Sequence, residues 1–539
     1  MSAYDDVVVG AGINGLVAAA ELAGAGRRVC LVDACQRIGG FVAGHQSAPG
    51  YHHDTYSSWH PLFVTGGAYA ELGDALARHG LAYANTDHLL FGSVADDGQV
   101  TVADRDPLAT AASFAHGPDR DAYLRMLDDL GAQLPVIGTL LGGELRSAAA
   151  LRPLLRMACG GGRTTIEAWA RATATSGRAY LSRTFHGPEA DHLWAPWLLH
   201  AGLAPDNASG GLMVPLLAGT IHAAGLPVAI GGMTCFVTAW ERLLAERSVD
   251  VVTDAAVDAV DVRDGRAVAV RSGGRRIEAA HNVLASVTPQ ALYEHLLPSG
   301  TVDAAVLTEA RQYRAGRAAM QIHLALEAPP AWRDERLRQV PLVHVGDGSA
   351  STAIACAEAE AGLLPRRPTI VVGQQCVLDP SRAPAVAATL WLQLQELPFV
   401  PSGDAAGLLD TSRGWDAELA DGYVGRVLDR IEQHAPGLRA SIRSTSVIDP
   451  ANLAAANPNA EGGDPYCGSA ELDQNLLWRP GPRTGRHRTT VRGLWHIGAA
   501  THPGPGLGGG SGHLVARSII DHAGPLQSRL ALRLRRGPS

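Results

Sequence analysis

Hydrophobic positions run through this chain in three rhythms, and each predicts a different kind of element. Near the N-terminus they are consecutive: Val7-Val8-Val9 is too short and too β-branched for a helix and reads as a buried strand. That strand enters Gly10-x-Gly12-x-x-Gly15, after which Val17-Ala18-Ala19-Ala20-Glu21-Leu22-Ala23 predicts a helix stopped by Gly24 and Gly26. Val29-Cys30-Leu31-Val32 predicts a second strand that ends on Asp33.

In the second rhythm apolar residues recur every three or four positions. Residues 118–134 place Tyr123, Met126, Leu127, Leu130 and Leu134 on one face, with Pro118 suited to a first helical turn. More helix is expected to about Leu203, interrupted at Gly160-Gly161-Gly162 and Gly187-Pro188, and again over 236–245 and 415–433. In the third rhythm apolar and polar residues alternate. Met320, Ile322, Leu324 and Leu326, then Leu390, Leu392 and Leu394, predict half-buried antiparallel strands. Residues 249–252 and 257–262 predict strands, and the turn Asp264-Gly265, residues 267–270, Gly273-Gly274 and Ile277 make a small antiparallel meander. Asn282-Val283-Leu284-Ala285 predicts a further strand, and Thr288-Pro289 starts a helix. Leu494-Trp495-His496-Ile497 predicts a late strand, opening onto the glycine-rich loop 498–512 and a helix over 513–522.

The N-terminal strand, glycine turn, helix and second strand have a joint mechanical reading. Gly10 permits the tight turn, Gly12 lets a pyrophosphate approach the backbone, and Gly15 allows helix to pack on strand. Asn14 sits inside this turn, and the free N–H groups of the helix face the phosphates. Asp33 lies 18 residues after Gly15, placed to accept hydrogen bonds from a ribose hydroxyl. The sequence therefore predicts an α/β dinucleotide-binding fold of Rossmann type. Arg37-Ile38-Gly39-Gly40 and Gly50-Tyr51-His52-His53-Asp54 suggest backbone passing close to something flat or anionic. Gly504, Gly506 and Gly509 repeat the glycine spacing, yet only about thirty residues follow, with no second strand and terminal acid. That loop reads as a second helix N-terminus aimed at the same cofactor, where N–H groups would stabilise a reduced flavin ring.

Composition narrows the classes. The 539 residues hold two to four domains' worth of core, with 46% hydrophobic and 18% charged residues. A net charge of −8 without a long basic stripe argues against nucleic acid. Seven scattered cysteines without Cys-x-x-Cys indicate free thiols in a reducing compartment, so the cytoplasm is the default. No metal site is expected, because neighbours such as His52 and His53 point to opposite faces of a strand. No charge occurs between Asn207 and Glu241, but Pro215, Pro227 and two glycine pairs would break a spanning helix. This stretch reads as buried core or substrate-cavity wall. In the tail, Leu526, Leu530 and Leu534 alternate with Arg529, Arg533, Arg535 and Arg536, which leaves peripheral contact with an anionic membrane open.

Taken in order, the Gly10–Gly15 fingerprint, Arg37-x-Gly-Gly, Gly231-Gly232-Met233 and Gly498-Ala-Ala-Thr-His-Pro-Gly resemble the phytoene desaturase-like FAD-dependent oxidoreductases. Within that group, Glu461-Gly462-Gly463-Asp464, Asp473-Gln474 and Arg479-Pro480 resemble the branch typified by pyridine nucleotide-disulfide oxidoreductase domain-containing protein 2. The resemblance implies a discontinuous, glutathione reductase/amine oxidase-type FAD domain over 1–64, 229–295 and 485–525. A substrate domain of helices plus an antiparallel sheet would occupy 65–228 and 296–484, ahead of a basic tail at 526–539. It implies non-covalent FAD held by Gly10, Gly12, Asn14, Gly15, Asp33, Arg37, Gly39, Gly40, Val257, Gly498, Leu507, Gly508 and Gly509. The family usually has Glu where this chain has Asp33, and Phe41 stands where related amine oxidases have Arg.

Catalytic candidates near these motifs are His502, His60, Tyr56 and, further out, His53. The leading expectation is a dehydrogenase or desaturase that takes hydride from a largely apolar small molecule, such as a lipid, isoprenoid or secondary-metabolite intermediate. Oxygen or a quinone would accept the electrons. A redox-neutral flavin-dependent isomerase and a flavin-binding scaffold without turnover are the alternatives.

Overall fold

The N-terminal valines lie at the middle of a seven-stranded sheet in the computed structural model, which describes residues 3–148, 150–152, 155 and 163–534. β1 (Tyr4–Val9) pairs in parallel with β2 (Val29–Val32) on one side and β3 (Arg275–Ser286) on the other. Asp250–Val252 and Leu494–Ile497 extend the parallel set. Side chains on a strand alternate between faces. Val8 joins the layer built on α1 (Ile13–Gly24), α2 (Met233–Glu246) and α3 (Gly510–Leu534), while Val7 and Val9 join the layer of Val260, Ile277 and Leu292. Val7 and Val8 are fully enclosed, and burial of each stabilises the fold by roughly 1.5–3 kcal/mol.

The structure corrects three details of this region. Ile277 and Asn282–Ala285 belong to one twelve-residue strand, β3, because Glu278-Ala279-Ala280-His281 contains no turn residue. Its first part pairs antiparallel with Arg266–Ser272, and its second part pairs in parallel with β1. The strand expected from Val257 starts at Ala259. Residues 254 and 255 spend their N–H groups on the carbonyls of Cys35 and Asp33, so the chain turns before it can pair. α2 and α3 also begin three residues earlier than the periodicity indicates, at Met233 and Gly510.

A second seven-stranded sheet is centred on β4 (Ala318–Leu326) and β5 (Ala388–Leu397), which pair antiparallel. Alternation is present as expected, but half-burial is not: every residue of both strands is buried. Met320, Ile322, Leu324, Leu390 and Leu392 pack with Leu419, Tyr423 and Ile431 of the helix Ala417–His434. The opposite face carries Gln321, His323, Thr389, Trp391 and Gln393, and protein rather than water covers it. His323 Nε2 donates to the Thr55 carbonyl at 3.1 Å, and Trp391 Nε1 donates to the Tyr56 carbonyl at 3.1 Å. His323 and Trp391 are thus spent on the segment that leaves the hairpin Gly44–Ala48/Tyr51–Asp54.

The helix expected over 118–134 runs from Gly117 to Leu141 and continues through Pro135. The uncharged stretch divides. Gly210–Ala224 is a helix whose Val214, Ala218 and Ile221 enter an aromatic core with Phe114, Tyr123 and Trp194, and the rest leads into α2. Among the described residues no helix is long and apolar enough to cross a membrane. Gly160-Gly161-Gly162 and the side chains of the basic tail lie outside the described residues.

A buried ion cluster joins the two sheets. Arg382 is 1% exposed, with Asp54 at 2.7 Å and Asp379 at 3.1 Å, and it also donates to the Ala229 carbonyl at 2.7 Å. Asp54 accepts from the Met233 N–H in the first turn of α2 at 2.8 Å, and Asp379 accepts from the Gly231 N–H at 2.7 Å. Replacing Arg382 by Met leaves two buried carboxylates without their cation. We expect a loss of about 3–5 kcal/mol in the urea-unfolding free energy. Arg336→Gln, which breaks an exposed pair with Asp334, should cost less than about 1 kcal/mol. Equal losses for the two variants would contradict the clamp.

Candidate functional site

The carboxyl ends of the parallel strands gather one set of tight backbone contacts. Gly10 has φ +94°, and a Cβ there would lie 2.9 Å from the Ser286 carbonyl at the end of β3. At Gly15 a Cβ would overlap the Gly10 carbonyl, so helix and strand meet as the fingerprint requires. Gly39 donates to the Ala11 carbonyl at 2.8 Å, and a Cβ on Gly40 would sit 3.1 Å from Gly12 Cα. Gly12 differs from these neighbours. A Cβ there meets nothing within 4 Å, so the start of α1 faces open space.

The C-terminal glycine loop reaches the same place. A Cβ on Gly498 (φ +107°) would lie 2.8 Å from Ser286 Oγ, and one on Gly509 would lie 2.7 Å from Val17 of α1. Gly506 and Gly508, on either side of Leu507 (φ +62°), run beside Leu62. The Gly512 N–H donates to Asn14 Oδ1 at 3.2 Å, so Asn14 joins the N-termini of α1 and α3. Two helix N-termini therefore converge, and each contributes unpaired N–H groups and the positive end of its dipole. A hydrogen bond between His513 Nδ1 and Glu21 Oε1 at 2.7 Å fixes α3 along α1. Ser511 Oγ accepts from the Gly498 N–H at 3.1 Å and bonds Thr501 Oγ1 at 2.7 Å, which shapes the loop.

Asp33 stands at the tip of β2. Its carboxylate accepts from the Ala11 and Cys35 N–H groups, which uses two of its roughly four acceptor positions and leaves two for a diol. Val257 lies in the loop that starts from the Ala255 N–H bond to the Asp33 carbonyl, and it is half-buried. Arg37 is exposed two residues before Gly39. The cradle of crowded glycines around one open glycine, with an acid at the neighbouring strand end, fits a dinucleotide cofactor.

The catalytic candidates fall in different settings. His502 Nε2 donates to the Leu140 carbonyl at 2.9 Å, and its own carbonyl accepts from His487 at 2.8 Å. Burial lowers its pKa to about 4, so the ring is neutral at pH 7. His60 is enclosed with Phe63 and Phe236, its Nδ1 3.0 Å from the Tyr83 hydroxyl and its Nε2 buried without a partner. Burial lowers it to about 3. Tyr56 is half-buried, with its ring edge-on to Phe41 at 5.0 Å, and burial raises its pKa, which keeps the phenol protonated. His53 bonds Ser47 at 2.8 Å and packs against His45 and His323. Among the described residues no group of three His, Cys, Asp or Glu is placed to hold a metal ion.

Residues outside the cofactor-binding and catalytic candidates also build the site. Ser286 touches both glycine ends, and Asn459 Nδ2 donates to its carbonyl at 3.0 Å. Its position at the carboxyl end of a central parallel strand was the available signal, since ligands of open α/β sheets gather there. Buried Arg479 donates to the Ala499 carbonyl at 2.8 Å and the Tyr466 carbonyl at 2.9 Å, which ties the Gly498 turn to the Glu461–Gln474 region.

Known proteins share this layout. Residues 8–75 match the NAD(P)-binding Rossmann-like domain. Pyridine nucleotide-disulfide oxidoreductase domain-containing protein 2 of Rattus norvegicus is 25% identical, across 96% of this chain and 94% of its own length. Phytoene desaturase (lycopene-forming) of a Paracoccus species is 28% identical over 27% of this chain and 26% of its own length. Putrescine oxidase, in a structure with putrescine bound, superposes with a TM-score of 0.62 at 16% identity, covering 96% of this chain and 99% of that one. The chain is thus similar over nearly its whole length to pyridine nucleotide-disulfide oxidoreductase domain-containing protein 2 and over about a quarter of it to a phytoene desaturase, and its N-terminal segment, where the glycine cradle lies, matches a Rossmann-like dinucleotide-binding domain.

Proposed function

We propose that this protein oxidises a largely apolar small molecule bearing a hydrogen-bond donor, by moving hydride from a substrate carbon to FAD. The observation that carries the reading is the convergence of both glycine-rich ends on the open face of Gly12. We assign the cofactor-binding unit to 1–64, 229–295 and 485–525 and the substrate-binding unit to 65–228 and 296–484. In this reading Gly10, Gly12 and Gly15 hold the pyrophosphate, Asp33 the adenosine ribose, and Val257 the adenine through its backbone. Gly39, Gly40, Gly498 and the loop Leu507 to Gly509 line the groove. FAD, when bound, supplies the hydride acceptor and passes electrons on to oxygen or a quinone.

The chain's own residues orient the substrate and exclude water. His323 and Trp391 pin the Thr55 and Tyr56 carbonyls, which sets the Tyr56 ring against Phe41. Tyr56, protonated and half-buried, is the proposed donor to the substrate. Buried Gln321 Oε1 and His323 Nδ1, on the polar face of β4, have no partner. Such acceptors suit a hydroxyl or N–H on an otherwise apolar body. The relatives named phytoene desaturase and hydroxyneurosporene desaturase support the apolar part of the assignment. His502 and His60, both neutral and enclosed, act in this reading as positioning groups.

Three outcomes test the proposal. Purified protein should show an oxidised-flavin spectrum, and heat should release FAD into the filtrate. Gly12→Val should weaken FAD binding at least about tenfold while the unfolding midpoint without FAD stays put, because the added side chain enters the phosphate space and not the core. Undiminished FAD affinity would remove Gly12 from the site. Tyr56→Phe should lower kcat/KM about a hundredfold with the flavin spectrum unchanged. Product formed without consumption of an electron acceptor would replace oxidation by isomerisation.

A further outcome concerns pH. The pKa values of His502 and His60 are about 4 and about 3, so neither should produce a limb in the rate profile between about pH 5 and 8. Both rings are neutral in the folded state and titrate near pH 6.5 when unfolded. The stability they contribute is therefore complete above about pH 6.5 and drains as pH falls toward 4. His502→Asn should flatten that decline in a urea-unfolding series, and a new rate-profile limb in its place would give His502 an acid–base role.

A further inference from the structure

The amino ends of the parallel strands, opposite the glycine cradle, enclose a cleft of about 730 Å³. Arg266, Arg488, Arg492, Trp495, Ile519 and His522 line it, with no Asp or Glu in the wall. Arg266 donates to the Ala280 and His281 carbonyls at 3.1 and 2.7 Å, and Arg492 donates to the Asp264 carbonyl. The Arg488 guanidinium lies 5.2 Å over the Trp495 ring. Carbonyls and an aromatic face orient these cations without neutralising them, and among the described residues none of the three has a carboxylate partner.

The floor is hydrogen-bonded and already balanced. Buried Arg27 is paired with Asp6, Asn282 Nδ2 donates to Asp6 at 2.7 Å, and Trp495 Nε1 donates to Asn282 Oδ1 at 3.0 Å. Other titratable groups add little negative charge. Asp5 sits 3.7 Å from His281 and accepts from the Arg28 N–H at 2.8 Å, and His522 bonds the Ser518 carbonyl. Three guanidinia held around one concave space repel each other until an anion enters. The planar forks suit phosphate, which they grip bidentately. Trp495 and Ile519 provide apolar wall, and the volume falls in the range of small-molecule sites.

We propose that this cleft is a second anion site, separate from the cofactor's, which binds a phosphate group attached to an organic body. A soluble phosphate ester and a phospholipid headgroup share that chemistry. Parallel strands of four to six residues separate the cleft from the cradle by about 13–20 Å, so occupancy of one leaves the other free.

The test uses FAD-loaded protein, in which the Gly12 face is filled. Inorganic pyrophosphate is titrated calorimetrically, and vesicles of phosphatidylcholine with or without phosphatidic acid are tested by co-sedimentation. At least one probe should bind saturably at low salt. Arg488→Gln/Arg492→Gln should weaken that binding at least about tenfold, with flavin absorbance and unfolding midpoint unchanged because both side chains are exposed. Arg488→Lys/Arg492→Lys, which keeps charge and loses the fork, should fall between the two. Pyrophosphate binding alone assigns a soluble phosphate, and binding of the acidic vesicles alone assigns a headgroup. Failure of both probes overturns the site, as does binding that survives the Gln variant, including vesicle binding through the basic tail.

Discussion

The junction between the two sheets depends on Arg382 and its two aspartates. A buried guanidinium is tolerable only with its charge balanced and its N–H groups used, and Asp54, Asp379 and the Ala229 carbonyl supply both. Each partner belongs to a different part of the chain. Asp54 ends the hairpin that leads to Tyr56, Asp379 belongs to the loop before β5, and Ala229 precedes the turn that starts α2. The cluster extends through Ser58, which donates to Asp54 and accepts from Gln375 Nε2 at 2.8 Å. One cation thereby sets the relative position of both sheets and of the segment between them.

That segment, residues 54–60, explains why β4 and β5 are polar on one face without meeting water. The Thr55 and Tyr56 carbonyls lie between the sheets, where an unpaired carbonyl would cost about as much as a lost hydrogen bond. His323 and Trp391 answer them directly. Strand alternation there records which side receives the Thr55 and Tyr56 carbonyls, and not which side faces solvent.

The first sheet was legible because its signals are local. The Val7–Val9 run, the Gly10–Gly15 turn, and Asp33 at the end of Val29–Val32 all lie within thirty residues, and each is forced by backbone sterics or burial. The glycine loop at 498–509 was legible for the same reason, since its need for φ > 0 is written in residue type. The rest depends on contacts between distant segments. Ser286 looks like an ordinary strand end until Gly10 and Gly498 arrive on either side of it. Arg382 looks like a surface arginine until Asp54, 328 positions away, reaches it. Half-burial of β4 was a fair inference from alternation, and it failed because periodicity reports two chemically different faces but not what covers them.

Glycine spacing shows the same limit and its resolution. Gly504, Gly506 and Gly509 repeat the spacing of Gly10, Gly12 and Gly15, yet the two stretches serve one site from opposite directions. Only the first lies between two parallel strands, so only it has an acid at a neighbouring strand end. The second packs its helix against the first, with Gly512 against Asn14 and His513 against Glu21. This leaves the two helix N-termini side by side at Asn14, next to the open face of Gly12. A carboxylate there would be stabilised by one helix, while a pyrophosphate, with charge on two centres, can use both. The paired N-termini thus favour an extended dianion over a single charge, so under the proposed function the glycine pattern at the far end of the chain serves the cofactor and not a second nucleotide.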